Sequence, residues 1–463
     1  MPRKKKLDDK SPDGKPILES LPKMSKKPQL VKGMKDILPQ DQHYWHHFRG
    51  LIRKITQDYS FERLDPPIVE ETSLYTYGIG KLTDIVEKEM YSFVDQGDNN
   101  LSLRPEFTAS FARAYVEHGM MNLPQPQKLY TIGPLFRHEK PQEGRFRQHN
   151  QFNCEILGEE KSSADAQLIF IGFKFLKSLG IVPLLQINSI GCLTCRGPYR
   201  EALGEYYKTK RNQVCEDCKR RMSKNVLRLL DCKNEQCALI KEKSPKMDEY
   251  WCEGCKNHFT SLVEFIDEFD IPHQYNPYLV RGNDYDTGTV FEFYAVLERE
   301  EEQRQLALGG GGRYDYLVEL FGGQHTPACG FGIGLERIIM TLKEMEQLGL
   351  VQPIEKRQVV EVFFAQLGEK AKRRAMLLYE DLIQEGFSLA ECFTKDSLKS
   401  QLEVANKLNT QFTLILGEKE LMDGTIIIRN MEGGEQEVID IKKLIPVLQK
   451  KLGHGEHGDQ KGW

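Results

Sequence analysis

Apolar side chains recur at helical spacing from Gln42 to Tyr59, with Phe48, Leu51, Ile52 and Ile55 on one face, and predict an amphipathic helix. A second helical period runs from Ala164 to Leu179, followed by a strand-like run from Leu184 to Ile190. Between them, Leu101 to Gly119 opens on an extended Leu-x-Leu-Arg-Pro and turns helical through 109–118. Lys128 to Phe136 reads as a strand, and 141–144 (Pro-Gln-Glu-Gly) as a turn. From Gln151 to Leu157 the pattern alternates. Gln151, Asn153 and Glu155 point one way; Phe152, Cys154 and Ile156 point the other. A strand, a polar loop and a second strand with amide and carboxylate on one face is how a sheet presents a site.

Strand-like sequence resumes at Tyr278–Arg281 and Val290–Val296, then come glycines 309–312 followed by Arg313-Tyr-Asp. A last strand, Ala328–Ile333, leads into a helix from Leu335. Residues 346–357 read as a linker. Beyond it, strand-like runs at Val359–Ala365, Ser388–Phe393, Phe412–Leu416 and Gly424–Arg429 are separated by helical runs at Lys370–Glu385 and Leu398–Leu408. This alternation predicts a small α/β domain.

Composition narrows the class. The 463 residues suggest about three domains. With 40% apolar and 29% charged residues the chain has a soluble, globular composition. Its most apolar stretch, Leu168 to Ile187, is interrupted by Lys174 and Lys177, short of the ~18 uninterrupted apolar residues of a membrane span. A net charge of −4 excludes a histone-like coat for nucleic acid but leaves room for a local groove. Residues 1–32 hold ten Lys/Arg against four Asp/Glu and no apolar h-region, which reads as a solvated basic tail rather than a secretory signal. The end, 453–463, reads as a loose tail.

Eight of the eleven cysteines fall between 192 and 255. They form three C-x2-C pairs, Cys192/Cys195, Cys215/Cys218 and Cys252/Cys255, and one C-x4-C pair, Cys232/Cys237. Without a secretory signal, paired thiolates at this spacing point to tetrahedral zinc rather than disulfides, and eight ligands make two structural four-cysteine sites. Order along the chain does not say which pairs share an ion. The segment is lysine-rich, interrupts strand-forming sequence on both sides, and reads as an insertion.

Arginines recur at the ends of extended segments: Arg104, Arg137, Arg145, Arg147, Arg281, Arg313 and Arg337. The guanidinium fork matches phosphate oxygens, so their convergence suggests a polyphosphate ligand. No G-x4-G-K-[ST] occurs, which excludes a P-loop enzyme.

Taken together, these segments resemble a known family. Gly33-Met-Lys-Asp-Ile-Leu-Pro39, Phe136-Arg-His-Glu139 with its loop to Arg147, and Gly330-Phe-Gly-Ile-Gly-Leu-Glu-Arg337 resemble the three motifs of class II aminoacyl-tRNA synthetases. Leu279-Val-Arg-Gly-Asn-Asp-Tyr285, Gly311-Gly-Arg-Tyr-Asp315, Thr83-Asp-Ile-Val-Glu-Lys-Glu-Met-Tyr91 and Leu103-Arg-Pro-Glu106 resemble the histidyl branch. The resemblance spans about 31 to 445 in the family's order.

It implies an α+β fold: a catalytic domain over 31–345 with an antiparallel sheet flanked by helices, the cysteine-rich insertion over 192–270, an anticodon-binding α/β domain over 357–450, and tails at 1–30 and 451–463. It implies histidine–tRNA ligase activity in a cytoplasmic homodimer joined through the first motif, with ATP, Mg2+, histidine and tRNA(His) as partners and no membrane. For ATP it implies Arg137 on the α-phosphate, Glu139 on the adenine amino group, Arg337 on the γ-phosphate, Arg145 and Arg147 on the far phosphates and the tRNA end, and His149 beside the base. For histidine it implies Glu106, Thr108 and Gln151 on the α-amino group, Glu155 and Tyr314 at the imidazole, Arg137 and Arg281 at the reacting carboxylate and phosphate, and Phe107, Tyr285 and Asp286 lining the pocket. Adenylate formation is then positioning plus charge stabilisation.

The chain departs from the family at four places. Where relatives usually read Arg-Gly-Leu-Asp-Tyr-Tyr, it reads Arg281-Gly-Asn-Asp-Tyr-Asp286. A carboxylate accepts and does not donate, so Asp286 and Glu155 together predict that histidine binds as imidazolium, with affinity falling as pH rises. His149 replaces a usual phenylalanine, Asn153 a common glycine, and Phe107 a frequent glycine. Asp286 and His149 also raise a rival, the synthetase-like regulatory subunit of histidine biosynthesis, which keeps the fold without aminoacylation. Arg137, Arg281, Arg337 and the C-terminal domain weigh against it. A catalytically inert zinc-dependent RNA-binding protein explains the cysteines and leaves the ordered motifs unexplained.

Overall fold

The computed structural model describes residues 27–140, 144–299, 302–355 and 360–454. They divide into two compact units, with the boundary between Pro353 and Ile354. Of the tails expected at 1–30 and 451–463, residues 1–26 and 455–463 lie outside the described residues, as does most of the 141–144 turn, while 451–452 close the helix Leu444–Leu452.

The first unit is built on an eight-stranded sheet. Its order is β1 (Glu62–Arg63), β5 (Gln127–Phe136), β6 (Gln148–Leu157), β11 (Ala328–Gly334), β10 (Glu302–Arg313), β9 (Thr287–Arg299), β7 (Leu184–Ser189) and β8 (His273–Tyr275). Strands β5 to β7 pair antiparallel across the centre; only the edge pairs β1/β5 and β7/β8 are parallel. The fold is thus α+β, with a sheet that is mixed at its rims rather than wholly antiparallel. A three-stranded sheet, β2 (Val69–Glu71), β4 (Asn100–Leu103) and β3 (Tyr91–Val94), stands beside it.

Helices cover the large sheet because their apolar stripes need a partner. The helix Ser162–Ser178 lays Phe175 against Phe152 of β6, with ring centroids 5.3 Å apart, and against Phe48 of the helix Gln42–Asp58 at 6.0 Å. All three side chains are removed from water, each worth roughly 1.5–3 kcal/mol of transfer free energy. A β-carbon on Gly172 of this helix would come within 2.6 Å of Phe293 of β9, so the missing side chain sets how closely helix and sheet approach.

One expectation fails locally. Residues Tyr278–Arg281 are irregular; the strand there is His273–Tyr275. Amides displace the ladder: Asn188 Nδ2 donates to the Leu279 carbonyl at 3.0 Å, and Asn276 Oδ1 accepts from the Tyr278 amide at 3.0 Å. Glycines 309–312 lie near the end of β10, where they permit close contact with both neighbouring strands.

The cysteine-rich segment folds as helices Leu193–Thr209, Glu216–Lys224, Glu235–Glu242 and Glu253–Glu268 around buried Tyr199, Leu203, Tyr207 and Leu229.

The second unit has its own five-stranded sheet, β13 (Leu389–Glu391), β12 (Val362–Gln366), β14 (Phe412–Leu416), β15 (Thr425–Asn430) and β16 (Gln436–Asp440). Strands β13, β12 and β14 are parallel; β14, β15 and β16 are antiparallel. The helices Glu369–Gln384 and Leu398–Lys407 contribute Ala371, Leu378, Leu382 and Ala405 to its buried core. Strand β16 escapes the sequence reading because its side chains are mostly exposed and leave no hydrophobic period.

Candidate active site

The site grows from the centre of the large sheet. The register pairs Glu155 with Gly330 and Asn153 with Gly332. A β-carbon on Gly330 would fall 1.5 Å from Glu155 Oε2, and one on Gly332 would fall 2.4 Å from the Gln151 side chain. The glycines of β11 therefore leave the floor on which Glu155 and Gln151 lie. The Arg281 guanidinium crosses the next strand, 3.0 Å from the place of a β-carbon on Gly310.

Glu155 is fully buried and accepts two hydrogen bonds, from Thr108 Oγ1 at 2.7 Å and from Tyr314 Oη at 2.7 Å. Burial outweighs these bonds and pushes its pKa up to about 8. Glu106, also buried, accepts from the backbone amides of Thr108 and Ala109 at 2.7 and 2.9 Å and from Tyr285 Oη at 3.2 Å. Tyr285 is oriented in turn by Asn283 Nδ2, 2.8 Å from its hydroxyl. Burial also raises the Glu106 pKa. Asp286 is 3% exposed and its Oδ2 has no hydrogen-bond partner. Burial pushes its pKa up to about 7 even though Arg281 and Arg196 pull the other way. Phe107 is fully buried beneath the Arg104 guanidinium, 4.5 Å from ring centroid to Cζ, so it supports the pocket from behind.

Arg137, Arg145, Arg281 and Arg337 line one open cleft of about 1360 Å3. Arg137 Nε donates to the Pro105 carbonyl at 2.8 Å, which ties it to the segment bearing Glu106. Arg337 donates to Ala307 O at 2.5 Å and to Gly144 O at 3.3 Å. Arg145 pairs with Glu139 at 3.2 Å. Arg147 is turned aside: it donates to Glu139 O and Lys32 O, while its amide donates to Gly33 O at 2.7 Å. His149 is half-buried on β6; burial first, then Arg137 and Arg337, lower its pKa to about 3 and keep the ring neutral.

Two arginines of the sequence-level set are structural. Arg313 is 3% exposed, bonds Asp165 at 2.6 Å and Asp315 at 3.1 Å, and cannot meet a phosphate. Arg104 spends its donors on the carbonyls of Pro66 and Pro134. The carboxylates of Asp165 and Asp315 supply the oxygen atoms to Arg313, and backbone carbonyls supply them to Arg104, where a phosphate would otherwise do so.

Comparison with known proteins decides the family. A family model described as histidyl-tRNA synthetase matches residues 33–338, and one described as an anticodon binding domain matches 358–451. The chain belongs to the histidyl-tRNA synthetase family. The histidine–tRNA ligase of Dehalococcoides mccartyi (strain ATCC BAA-2266 / KCTC 15142 / 195) is 43% identical, with 92% of this chain and 100% of the relative covered. That of Thermosipho melanesiensis is 43% identical over 89% of this chain and 96% of its own. The crystal structure of apo S. aureus histidyl-tRNA synthetase superposes with a TM-score of 0.74 at 30% identity, covering 91% of this chain and 99% of that one. As a class II histidyl-tRNA synthetase the chain is an ATP-dependent histidine–tRNA ligase acting on histidine, ATP and tRNA. Among the described residues no helix is long and apolar enough to cross a membrane.

Arg196 and Asn283 touch the pocket's frame without figuring in the expected set. Arg196 donates to the Asp286 carbonyl. Its one signal in the sequence is its place directly after Cys195. Glu336, within the segment resembling the third motif, accepts from Asn150 through both backbone and side-chain N–H at 2.8 Å, locking the helix Leu335–Gln347 to β6.

Proposed function

We propose that the pocket holds histidine at its closed end and ATP along the arginine-lined cleft. The observation that carries this reading is the split in chemistry: buried carboxyls and hydroxyls at one end, and a row of guanidinium groups that includes Arg137, Arg145, Arg281 and Arg337 along the other. Glu106 and Gln151 take the α-amino group, with Thr108 beside them. Glu155, set by Thr108 and Tyr314, accepts from one imidazole nitrogen; the partnerless Asp286 Oδ2 accepts from the other. A site that pairs both ring nitrogens rejects amino acids lacking them, by around 10⁴-fold.

Arg137, tied to Pro105, and Arg281, laid over Gly310, flank the α-phosphate. A histidine carboxylate oxygen attacks the α-phosphorus, the P–O bond to pyrophosphate breaks, and the two arginines carry the charge on the equatorial oxygens. Arg337 and Arg145 hold the outgoing phosphates. Mg2+ bound with the triphosphate would screen phosphate charge. Glu292 is a cleft-wall carboxylate suited to it, since Mg2+ commonly binds one or two carboxylates together with phosphates. Glu139 faces the adenine amino group, and neutral His149 offers a flat ring to the base. Arg147 reaches the tRNA end by leaving its carbonyl partners. A terminal ribose hydroxyl then attacks the histidyl carbonyl and AMP leaves. The second unit reads exposed anticodon bases. We assign the working form as a cytoplasmic homodimer assembled through the first motif, whose Gly33 already contacts Arg147.

Histidine-dependent ATP–pyrophosphate exchange, run with each of the twenty amino acids, tests this. Exchange with histidine alone is expected. Histidine binding without exchange overturns the reading in favour of a regulatory subunit.

A further inference from the structure

The eight insertion cysteines gather into two separate clusters: Cys192, Cys195, Cys252 and Cys255, and Cys215, Cys218, Cys232 and Cys237. In each, all four sulfurs lie within 4.8 Å of one another. Four thiolates around one zinc, with Zn–S about 2.3 Å, stand about 3.8 Å apart at the corners of a tetrahedron. The separations here are 3.5 Å for Cys192 to Cys195, 3.8 Å for Cys195 to Cys255 and 3.8 Å for Cys215 to Cys232. An iron–sulfur cluster interposes its own iron and sulfide atoms and needs a wider cage. A disulfide needs sulfurs at about 2.0 Å.

The backbone adds an independent sign. Cys192 N–H donates to Cys255 Sγ at 3.3 Å, Cys252 N–H to Cys195 Sγ at 3.0 Å, and Cys215 N–H to Cys237 Sγ at 3.2 Å. Each bond crosses from one pair to the other, which is how outer groups support metal-bound thiolates. Cys192, Cys215 and Cys252 also precede the first turns of three helices, where partial positive charge favours thiolate.

The second cluster reaches the cleft. Cys215 and Cys232 line it together with Arg137 and Arg281. Its helix, Glu216–Lys224, and the turn after it are tied to both loops at the cleft's edge. Lys224 pairs with Glu87, Arg228 with Asp84 at 2.9 Å, and Asn225 Nδ2 donates to Asp284 at 2.9 Å.

We propose that the insertion is a double zinc clip. Cys192, Cys195, Cys252 and Cys255 hold a base ion that closes the insertion on itself. Cys215, Cys218, Cys232 and Cys237 hold a tip ion that fixes the insertion wall against the cleft. The cleft role rests on the reading of that cleft as the nucleotide site; the metal count does not.

The test is elemental analysis of the full-length protein, with direct ATP binding as a second readout. The native chain is expected to carry about two zinc ions and no iron. C215S/C232S is expected to carry about one and to bind ATP about tenfold more weakly. Fewer than one zinc per native chain, iron in its place, or two ions retained by the double variant overturns the clip. One ion lost with unchanged ATP affinity overturns the cleft role. If the double variant does not fold, stepwise zinc release from the native protein by a chelator replaces it: two steps with ATP affinity falling at one of them are expected, and a single step overturns the two-site assignment.

Discussion

Glu155 Oε2 occupies the space that any side chain on Gly330 would need. The carboxyl is held there by Tyr314 and Thr108, and the glycine lies directly across the strand pair. Specificity and strand packing therefore share one volume. G330A should fold, because β11 keeps its ladder, yet push Glu155 off its partners. A misplacement of about 1 Å in a positioned group costs on the order of 10²-fold. That loss is expected in kcat/KM for histidine during pyrophosphate exchange, with ATP affinity nearly unchanged; unaltered histidine kinetics would show Glu155 idle.

The raised carboxyls Glu155 and Asp286 make stability pH-dependent in a defined direction. Their folded pKa values, about 8 for Glu155 and about 7 for Asp286, exceed those of the unfolded chain. The stabilising contribution is thus fully present below about pH 4 and is lost as pH rises through the folded values. The melting temperature of the ligand-free protein should decline between about pH 5 and 8, and E155Q or D286N should each flatten part of that decline. A steeper decline in either variant would contradict the assignment.

Histidine binding follows from the same groups. Near pH 7 the empty pocket already holds a proton on its carboxyls, so neutral histidine can take it up in place. Affinity should be near its maximum around pH 7–8 and weaken by about tenfold per unit above about pH 8, where site and ligand have both lost theirs. This moves the expected fall upward from the pKa of free histidine. D286N should bind neutral histidine and flatten the fall; calorimetry across pH decides.

Glu336 is half-buried and receives two N–H groups of Asn150. E336A should leave those donors unsatisfied and cost about 1–3 kcal/mol. Thermal melting should register the loss as a drop of several degrees, while E336Q, which keeps an acceptor, should lose less.

Much of this was legible in the chain because regular elements advertise their periods. Gln151 to Leu157 alternates plainly, so its site face was readable before any coordinates. Tyr278–Arg281 was misread because β-favouring residues there are held by Asn188 and Asn276, and side-chain amides leave no period. Arg104 and Arg313 were counted with the phosphate arginines because residue type alone does not distinguish a phosphate from a backbone carbonyl or a buried carboxylate. The sharing of cysteines was illegible for a different reason: four pairs can be joined in several ways, and only the fold brings the first to the last. Arg196 shows no motif; its role arises from a turn that the cysteine cluster sets.

The nesting of the two cysteine clusters has a consequence for how the chain is made. The inner four span a separation of 22 residues from Cys215 to Cys237, nested inside the separation of 63 from Cys192 to Cys255. A ribosome releases the inner set whole before Cys252 and Cys255 emerge. The early pair at Cys192 and Cys195 meets four complete rivals before its true partners emerge. Vectorial synthesis thus lets the inner cluster settle with its own members first, leaving the late pair a single vacancy to fill and sparing the nascent enzyme a sorting problem among eight identical side chains.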